Sequence, residues 1–101
     1  MGKIYNAKIK FSFLGFDTNG VLCIQLGFEC RNGVSYASDK LMISDQGQDF
    51  GLGADIIRNI LNVLELNRWE DLPRKFARIE VDNDGIVTAV GNLIEERWVK
   101  L

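Results

Sequence analysis

The residues best suited to acid–base chemistry are Asp45 and Asp49, two carboxylates in a glycine-bearing stretch that precedes the chain's one convincing helix. Paired carboxylates can divide the roles of general acid and general base when their surroundings push their pKa values apart. The rest of the chain gives this pair little support. There is no histidine, which removes the commonest general base and excludes a His-dependent triad and a His-ligated zinc site. Cys23 and Cys30 fall on opposite faces of one expected strand, about 23 Å apart at the strand rise. They can share neither a disulfide nor a metal, and Cys30 is expected to be buried and Cys23 partly exposed. Gly47, Gly51 and Gly53 lead into the helix as a phosphate cradle would. Their spacing matches neither the dinucleotide nor the P-loop pattern, and no Lys-Ser or Lys-Thr pair follows. Asp82-Asn83-Asp84-Gly85 opens like a calcium loop, but its twelfth position holds Leu93 where a Glu is needed, so a hairpin turn accounts for it better. The expectation is a protein with no catalytic residues, cofactor or metal, and no enzymatic activity.

Binding chemistry is better represented. The stretch 39–53 carries Asp45, Gln48, Asp49 and Phe50, a mixture of polar groups and one aromatic in a long irregular connection of the sort that often carries function. Trp98 stands among charges near the C-terminus, beside Arg97. Tryptophan and arginine are the residues that most often anchor protein interfaces, so these six are the candidate partner contacts, and Trp98 is also a candidate dimer seam. A second set is basic. Lys8 and Lys10 line the polar side of the first strand, with Lys3 nearby and Arg78 able to share the surface. Residues 1–38 carry Lys3, Lys8, Lys10 and Arg31 against Asp17 and Glu29, a local excess of two positive charges. Such a face can track a phosphate backbone, with Tyr36 or Phe16 as a stacking platform, although Glu29 and Glu80 fall on the same surface.

The elements that must position these groups follow from the hydrophobic pattern. Residues 4–15 alternate, with Tyr5, Ala7, Ile9, Phe11 and Phe13 expected on the buried face. Asn19-Gly20 marks a hairpin into a second strand over 21–30, whose Leu22, Ile24, Leu26 and Phe28 face the core. Arg31-Asn32-Gly33 turns into a third strand over 34–37, and Leu41-Met42-Ile43 is a short apolar patch. Ile56, Ile57, Ile60, Leu61 and Leu64 form one stripe of a helix over 54–66, with Asn67 as its left-handed stop. Trp69 and Leu72 are expected to plug the core from the turn that follows. Strands over 76–82 and 86–91 flank the Asn83-Asp84-Gly85 turn, and the tail is expected to extend the last strand or form a short helix. The predicted architecture is α+β: an antiparallel five-stranded sheet with one helix, in the order β-β-β-α-β-β, able to curl into a partly open barrel. In element order this resembles the oligonucleotide-binding fold.

The chain has 101 residues, 47 % of them apolar, and a net charge of −2. That suits a single domain over 1–101 and marks neither a strongly basic nucleic-acid binder nor an acidic mimic of DNA. No apolar run reaches the roughly 20 residues of a membrane span, and the first residues lack a signal-peptide core. A cytoplasmic protein with no membrane partner is expected.

Several motifs recur together. They are Phe13-Leu14-Gly15 at the end of the first strand and Phe50-Gly51 ahead of the Ile56-Ile57/Ile60-Leu61 helix. The turn Trp69-Glu70-Asp71-Leu72-Pro73 follows, then Val90-Gly91-Asn92 and Glu95-Glu96-Arg97-Trp98. In these the chain resembles small accessory proteins of phages and prophages. The resemblance implies a non-enzymatic protein that occludes or sequesters a host defence component, an anti-CRISPR-like inhibitor of a host protein or ribonucleoprotein complex acting in the host cytoplasm. The alternative is a single-strand nucleic-acid-binding accessory of phage replication or recombination.

Overall fold

The computed structural model describes residues 2–44 and 51–101. In chain order the elements are β1 (Lys3–Phe16), β2 (Leu22–Cys30), β3 (Ser35–Ser38), β4 (Leu41–Ser44), α1 (Gly51–Val63), a 3-10 turn (Trp69–Asp71), β5 (Phe76–Val81), β6 (Ile86–Gly91) and β7 (Trp98–Lys100). Five of the strands close into a barrel in the order β1-β2-β3-β6-β5 and back to β1. All contacts in that ring are antiparallel except β3–β6, which is parallel and pairs Ala37 with Ile86 and Ser38 with Val87. This corrects the expectation of a purely antiparallel, partly open sheet. The α+β class and the single helix between the third and fourth barrel strands stand. Two short strands were added outside the ring: β4 pairs the free edge of β2 near Ile24, and β7 pairs β6.

Closure depends on the length of β1. Its first half pairs β5 from Lys3↔Val81 to Lys8↔Phe76, and from Ala7 to Phe16 it pairs β2. A strand that serves two neighbours on different edges must bend between them, and it does so at a bulge. Ile9 faces Phe28 and Phe11 faces Gly27, which leaves Lys10 as the extra residue. Bulges bend the strand and increase its twist, which curls a sheet towards closure.

Three turns share their backbone bonds, and two of them share the side-chain acceptor as well. Asp17 Oδ1 accepts the N–H groups of Asn19 (2.8 Å) and Val21 (3.0 Å), and Asp82 Oδ1 accepts those of Asp84 and Ile86, both at 2.9 Å. At the β2–β3 turn Asn32 Oδ1 accepts Val34 N–H at 3.0 Å. Each ends on a glycine in the left-handed region (Gly20 φ 78°, Gly33 φ 87°, Gly85 φ 81°), where a Cβ would be strained. The Asp82–Gly85 segment is thus a hairpin turn in which the carboxylate already serves the backbone. Among the described residues no cluster of acidic or sulfur ligands is placed to hold a metal.

The barrel interior is filled by Ile9, Ile24, Leu26, Phe28, Ile79 and Val90, all fully buried. Helix α1 packs against β4, β6 and β7 and buries Ile60, Val63 and Leu64, with Leu72 from the following turn fully buried and Trp69 partly so. The helix begins and ends about a turn earlier than the 54–66 expected. Its stop is Glu65 (φ 59°) rather than Asn67. The Leu66 N–H bonds Leu61 O at 2.9 Å and the Glu65 N–H bonds Asn62 O at 3.2 Å, the paired bonds of a Schellman ending. Where β2 exchanges its partner β3 for β4, Leu26 N–H would lose its acceptor. The buried Ser38 supplies one, with Oγ at 3.0 Å.

The tail neither prolongs β6 nor forms a helix. A loop over 92–97 returns it as β7, fixed by Asn92. The Asn92 side chain is buried and fully bonded: Nδ2 donates to Val63 O (2.8 Å) and Glu65 Oε1 (3.1 Å), and Oδ1 accepts Ile94 N–H (2.9 Å) and Glu95 N–H (3.0 Å).

Candidate functional site

The bulge at Lys10 decides what the protein shows to solvent. Before it, odd positions of β1 face inward: Ala7 and Ile9 are buried. After it the parity reverses, because a one-residue slip moves every following side chain to the other face. Phe11 pairs Gly27 and Phe13 pairs Gln25, positions of β2 that alternate with the core residues Leu26 and Phe28. The two phenylalanines expected in the core therefore stand on the outer surface, 41 % and 37 % exposed. Their rings lie over glycine. A Cβ at Gly27 would come within 2.0 Å of Phe11 Cε2, and one at Gly15 within 3.1 Å of Phe13 Cζ. A glycine inside a strand often marks such a close approach. Phe16, 71 % exposed at the end of β1, joins them around a shallow depression that Gln25 and Lys40 complete. Met42 is also exposed on β4, opposite Cys23.

From Phe11 to Phe16, β1 pairs only β2 among the described residues, so its other edge is free. The hairpin is thus a protruding sheet with an aromatic face, an open edge and basic residues nearby. Lys10 is exposed at the bulge and Lys40 lies at the depression. Lys40 is also among the groups that act on Asp17. The Asp17 carboxyl is held below its ordinary range chiefly by the Val21 backbone N–H, with Asn19 and Lys40 adding to the effect against partial desolvation.

That shift has a testable consequence. A carboxylate whose folded pKa is depressed stabilises the fold above its unfolded pKa and loses this contribution as pH falls through the folded value. Glu96, held low by the Trp98 indole and Arg78, and Asp71, held low by Arg68, act in the same sense. The melting temperature is expected to fall as pH drops below about 4, the ordinary carboxylate range. Asp17→Asn keeps the acceptor oxygen and removes the titration, so its melting temperature should depend less steeply on pH than that of the unmodified chain. An identical pH profile would contradict the assignment.

The structure disperses the sequence-predicted site residues. Asp45, Gln48, Asp49 and Phe50 lie outside the described residues, as does Gly47; Gly51 and Gly53 fall within the first turn of α1 rather than ahead of it. Trp98 is engaged internally. Its ring covers Gly91, Arg78 stacks over it at 4.9 Å, and its Nε1 donates to Glu96 at 2.9 Å. Arg97 bonds Asn62 O at 2.6 Å and Glu95 at 3.2 Å, tying the tail to the end of α1.

Of the basic set, Lys8 and Arg78 share the outer face, but Arg78 is committed to Asn92 O (2.7 Å), Glu95 O (2.8 Å) and Glu96 (3.2 Å). Lys3 sits at the far mouth of the barrel. There Tyr5 and Tyr36 stack at 5.6 Å and close the interior, which takes Tyr36 away from the outer platform. Hydrogen bonding to Tyr5 raises the Tyr36 hydroxyl pKa. Both cysteines are buried, Cys23 included, and burial raises the Cys30 pKa, leaving it an inert core thiol.

Sequence alternation hid Phe11 and Phe13. The signal that could have found them is the glycine at position 27, in the middle of a strong strand pattern.

The fold and this surface define a small closed five-stranded barrel with an aromatic, partly basic hairpin face. Comparison with protein-family models, with curated proteins and with solved structures finds no match. No helix among the described residues is long and apolar enough to cross a membrane.

Proposed function

We propose that the protein binds single-stranded nucleic acid on the β1–β2 hairpin. Phe11, Phe13 and Phe16 are the stacking platform, and Lys10 and Lys40 the partners of the phosphates. The observation that carries this reading is the pair of phenylalanine rings turned outward by the bulge and laid over glycine. Exposed aromatic faces beside lysines suit a ligand that offers flat bases and a charged backbone. The support from architecture is that barrels of the oligonucleotide-binding type use a sheet face and the loop between their first two strands for such ligands. A net charge of −2 does not oppose it, because Lys10 and Lys40 put positive charge beside the aromatic face.

The test is fluorescence anisotropy with labelled oligothymidylate over a salt series. Binding should weaken with a slope of log affinity against log salt of about −2, given about 0.7 per phosphate neutralised on a single strand and several cations in reach. No binding at 20 mM salt would dispose of the reading.

The free edge of β1 between Phe11 and Phe16 favours a second reading. A host defence protein or ribonucleoprotein would add a strand there and be occluded, as the resemblance to phage accessory proteins implies. It requires a discrete partner retained from nuclease-treated bacterial lysate and lost with Phe13→Ala.

A further inference from the structure

We propose that the bound strand continues past Phe11 along β1 into the cleft between β1, β5 and the loop after β6. There Phe76 carries a further base, and Lys8 and Arg31 hold the phosphates beside it. This rests on the reading of the hairpin as a single-strand platform and extends it to a region that the hairpin itself does not reach.

The placement follows from register. Lys8 pairs Phe76 on one side and Glu29 on the other, so all three stand in one row across the outer face. Phe11 and Gly27 form the next row, and Lys10 projects between them at the bulge. Phe76 is 57 % exposed although it begins a strand whose Ala77 and Ile79 are fully buried. It borders a cleft of about 460 Å³ with Lys8, Glu29, Arg31 and Leu93. Along β1 two aromatic side chains, Phe13 and Phe11, are thus followed by two basic ones, Lys10 and Lys8, and Phe76 stands beside Lys8 on β5.

Charge selects the occupant. The ion pairs among the described residues are Arg68–Asp71, Arg78–Glu96 and Arg97–Glu95. Lys8, Lys10, Arg31 and Lys75, next to Phe76, belong to none of them, and Glu29 is the one acid lining the cleft. Lys8 and Arg31 face one carboxylate across the cleft beside an exposed ring, with Lys10 one step along β1, and that set fits a polyanion that also offers flat apolar faces. A purely apolar protein surface would leave them uncompensated. Residues 8 to 16 span about 26 Å at the strand rise, which suits the lower end of the ~4–16 nucleotides taken by a barrel of this type.

The experiment uses the intact chain and fluorescein-labelled oligothymidylates of three and of ten nucleotides. Phe76→Ala should bind the three-nucleotide probe as tightly as the unmodified chain and the ten-nucleotide probe about 5- to 100-fold more weakly. Arg31→Ser should lower the salt slope for the longer probe by about 0.7 and leave that of the shorter unchanged. Both side chains are exposed, and thermal melts of the variants check that they fold. Unchanged binding of the longer probe by Phe76→Ala, with Phe11→Ala weakened, would overturn this inference and leave the hairpin site standing. Failure of the unmodified chain to bind either probe would overturn both and leave the cleft to a protein partner.

Discussion

Replacing Phe11 and Phe13 together with alanine should weaken binding of single-stranded nucleic acid by about 30-fold at least, and by about 1,000-fold at mid-range. The figure follows from about 1–3 kcal/mol for each base that loses its aromatic platform and about 1.4 kcal/mol for each factor of ten. The loss should fall on the dissociation rate, because the lysines that steer approach remain. Stability should change far less than binding, because both rings are more than a third exposed and neither reaches the barrel interior. The comparison of anisotropy titrations with thermal melts therefore separates a binding role from a merely protective one. If the rings served only to cover Gly27 and Gly15, the double variant would melt lower and bind unchanged.

Gly27→Ala makes a sharper companion. Its new methyl would meet the Phe11 ring edge at 2.0 Å. The ring can swing outward, and alanine is the better strand residue by about 0.5–1 kcal/mol. The fold should hold or gain slightly while binding declines, an outcome that loss of structure cannot produce.

A single extra residue in β1 hides this surface from the hydrophobic pattern. Hydrophobic alternation from Tyr5 to Phe13 is unbroken in the sequence, and it assigns Phe11 and Phe13 to the core. The bulge at Lys10 inverts that assignment. No side-chain chemistry announces a bulge at a lysine, since it arises where β1 passes from pairing β5 to pairing β2 alone. Only the glycine opposite, at position 27, records the result locally.

The hairpin turns were legible because each carries an Asn-Gly or Asp-Gly pair, Asn19-Gly20, Asn32-Gly33 and Asp84-Gly85, whose residues suit the turn. The helix was legible as an amphipathic stripe, though its stop was not, since a left-handed Glu65 is held by the Leu66 N–H bond to Leu61 O and by the bond its carboxylate accepts from Asn92 Nδ2 rather than by its own preference. The parallel β3–β6 contact could not be read from adjacent hairpins. It joins strands separated by the whole helical segment, and it is what turns a curled sheet into a closed barrel. Cys23 lies on the outward parity of β2 and is buried all the same, a small side chain beside Gly15 and the Phe13 ring that lies over it. Trp98 is a candidate contact in the sequence as an aromatic among charges. Those same charges, Glu96 and Arg78, are what hold it against Gly91.

Asn92→Leu should lower stability by about 3 kcal/mol, a fall in melting temperature on the order of 15 °C for a domain of this size. Leucine matches the side chain in bulk but makes none of its four hydrogen bonds. Val63 O, at the end of α1, loses a donor at a buried site, which alone costs about 1–3 kcal/mol. The N–H groups of Ile94 and Glu95 lose the acceptor that shapes the loop leading into β7. The consequence should spread, because this loop presents the carbonyls of Asn92 and Glu95 to Arg78, and Arg78 in turn lies over Trp98. Asn92→Asp distinguishes the two ends of the side chain. It retains the acceptor for Ile94 and Glu95, removes both donors, and sets a carboxylate against Val63 O and Glu65. If the tie to the helix dominates, Asp should be nearly as damaging as Leu at pH 7 and should recover partly in acid, where the carboxyl becomes a donor. If shaping of the 92–97 loop dominates, Asp should melt close to the unmodified chain. A melting temperature for Asn92→Leu within about 3 °C of the unmodified chain, less than the effect expected of even 1 kcal/mol, would show that neither tie holds the tail.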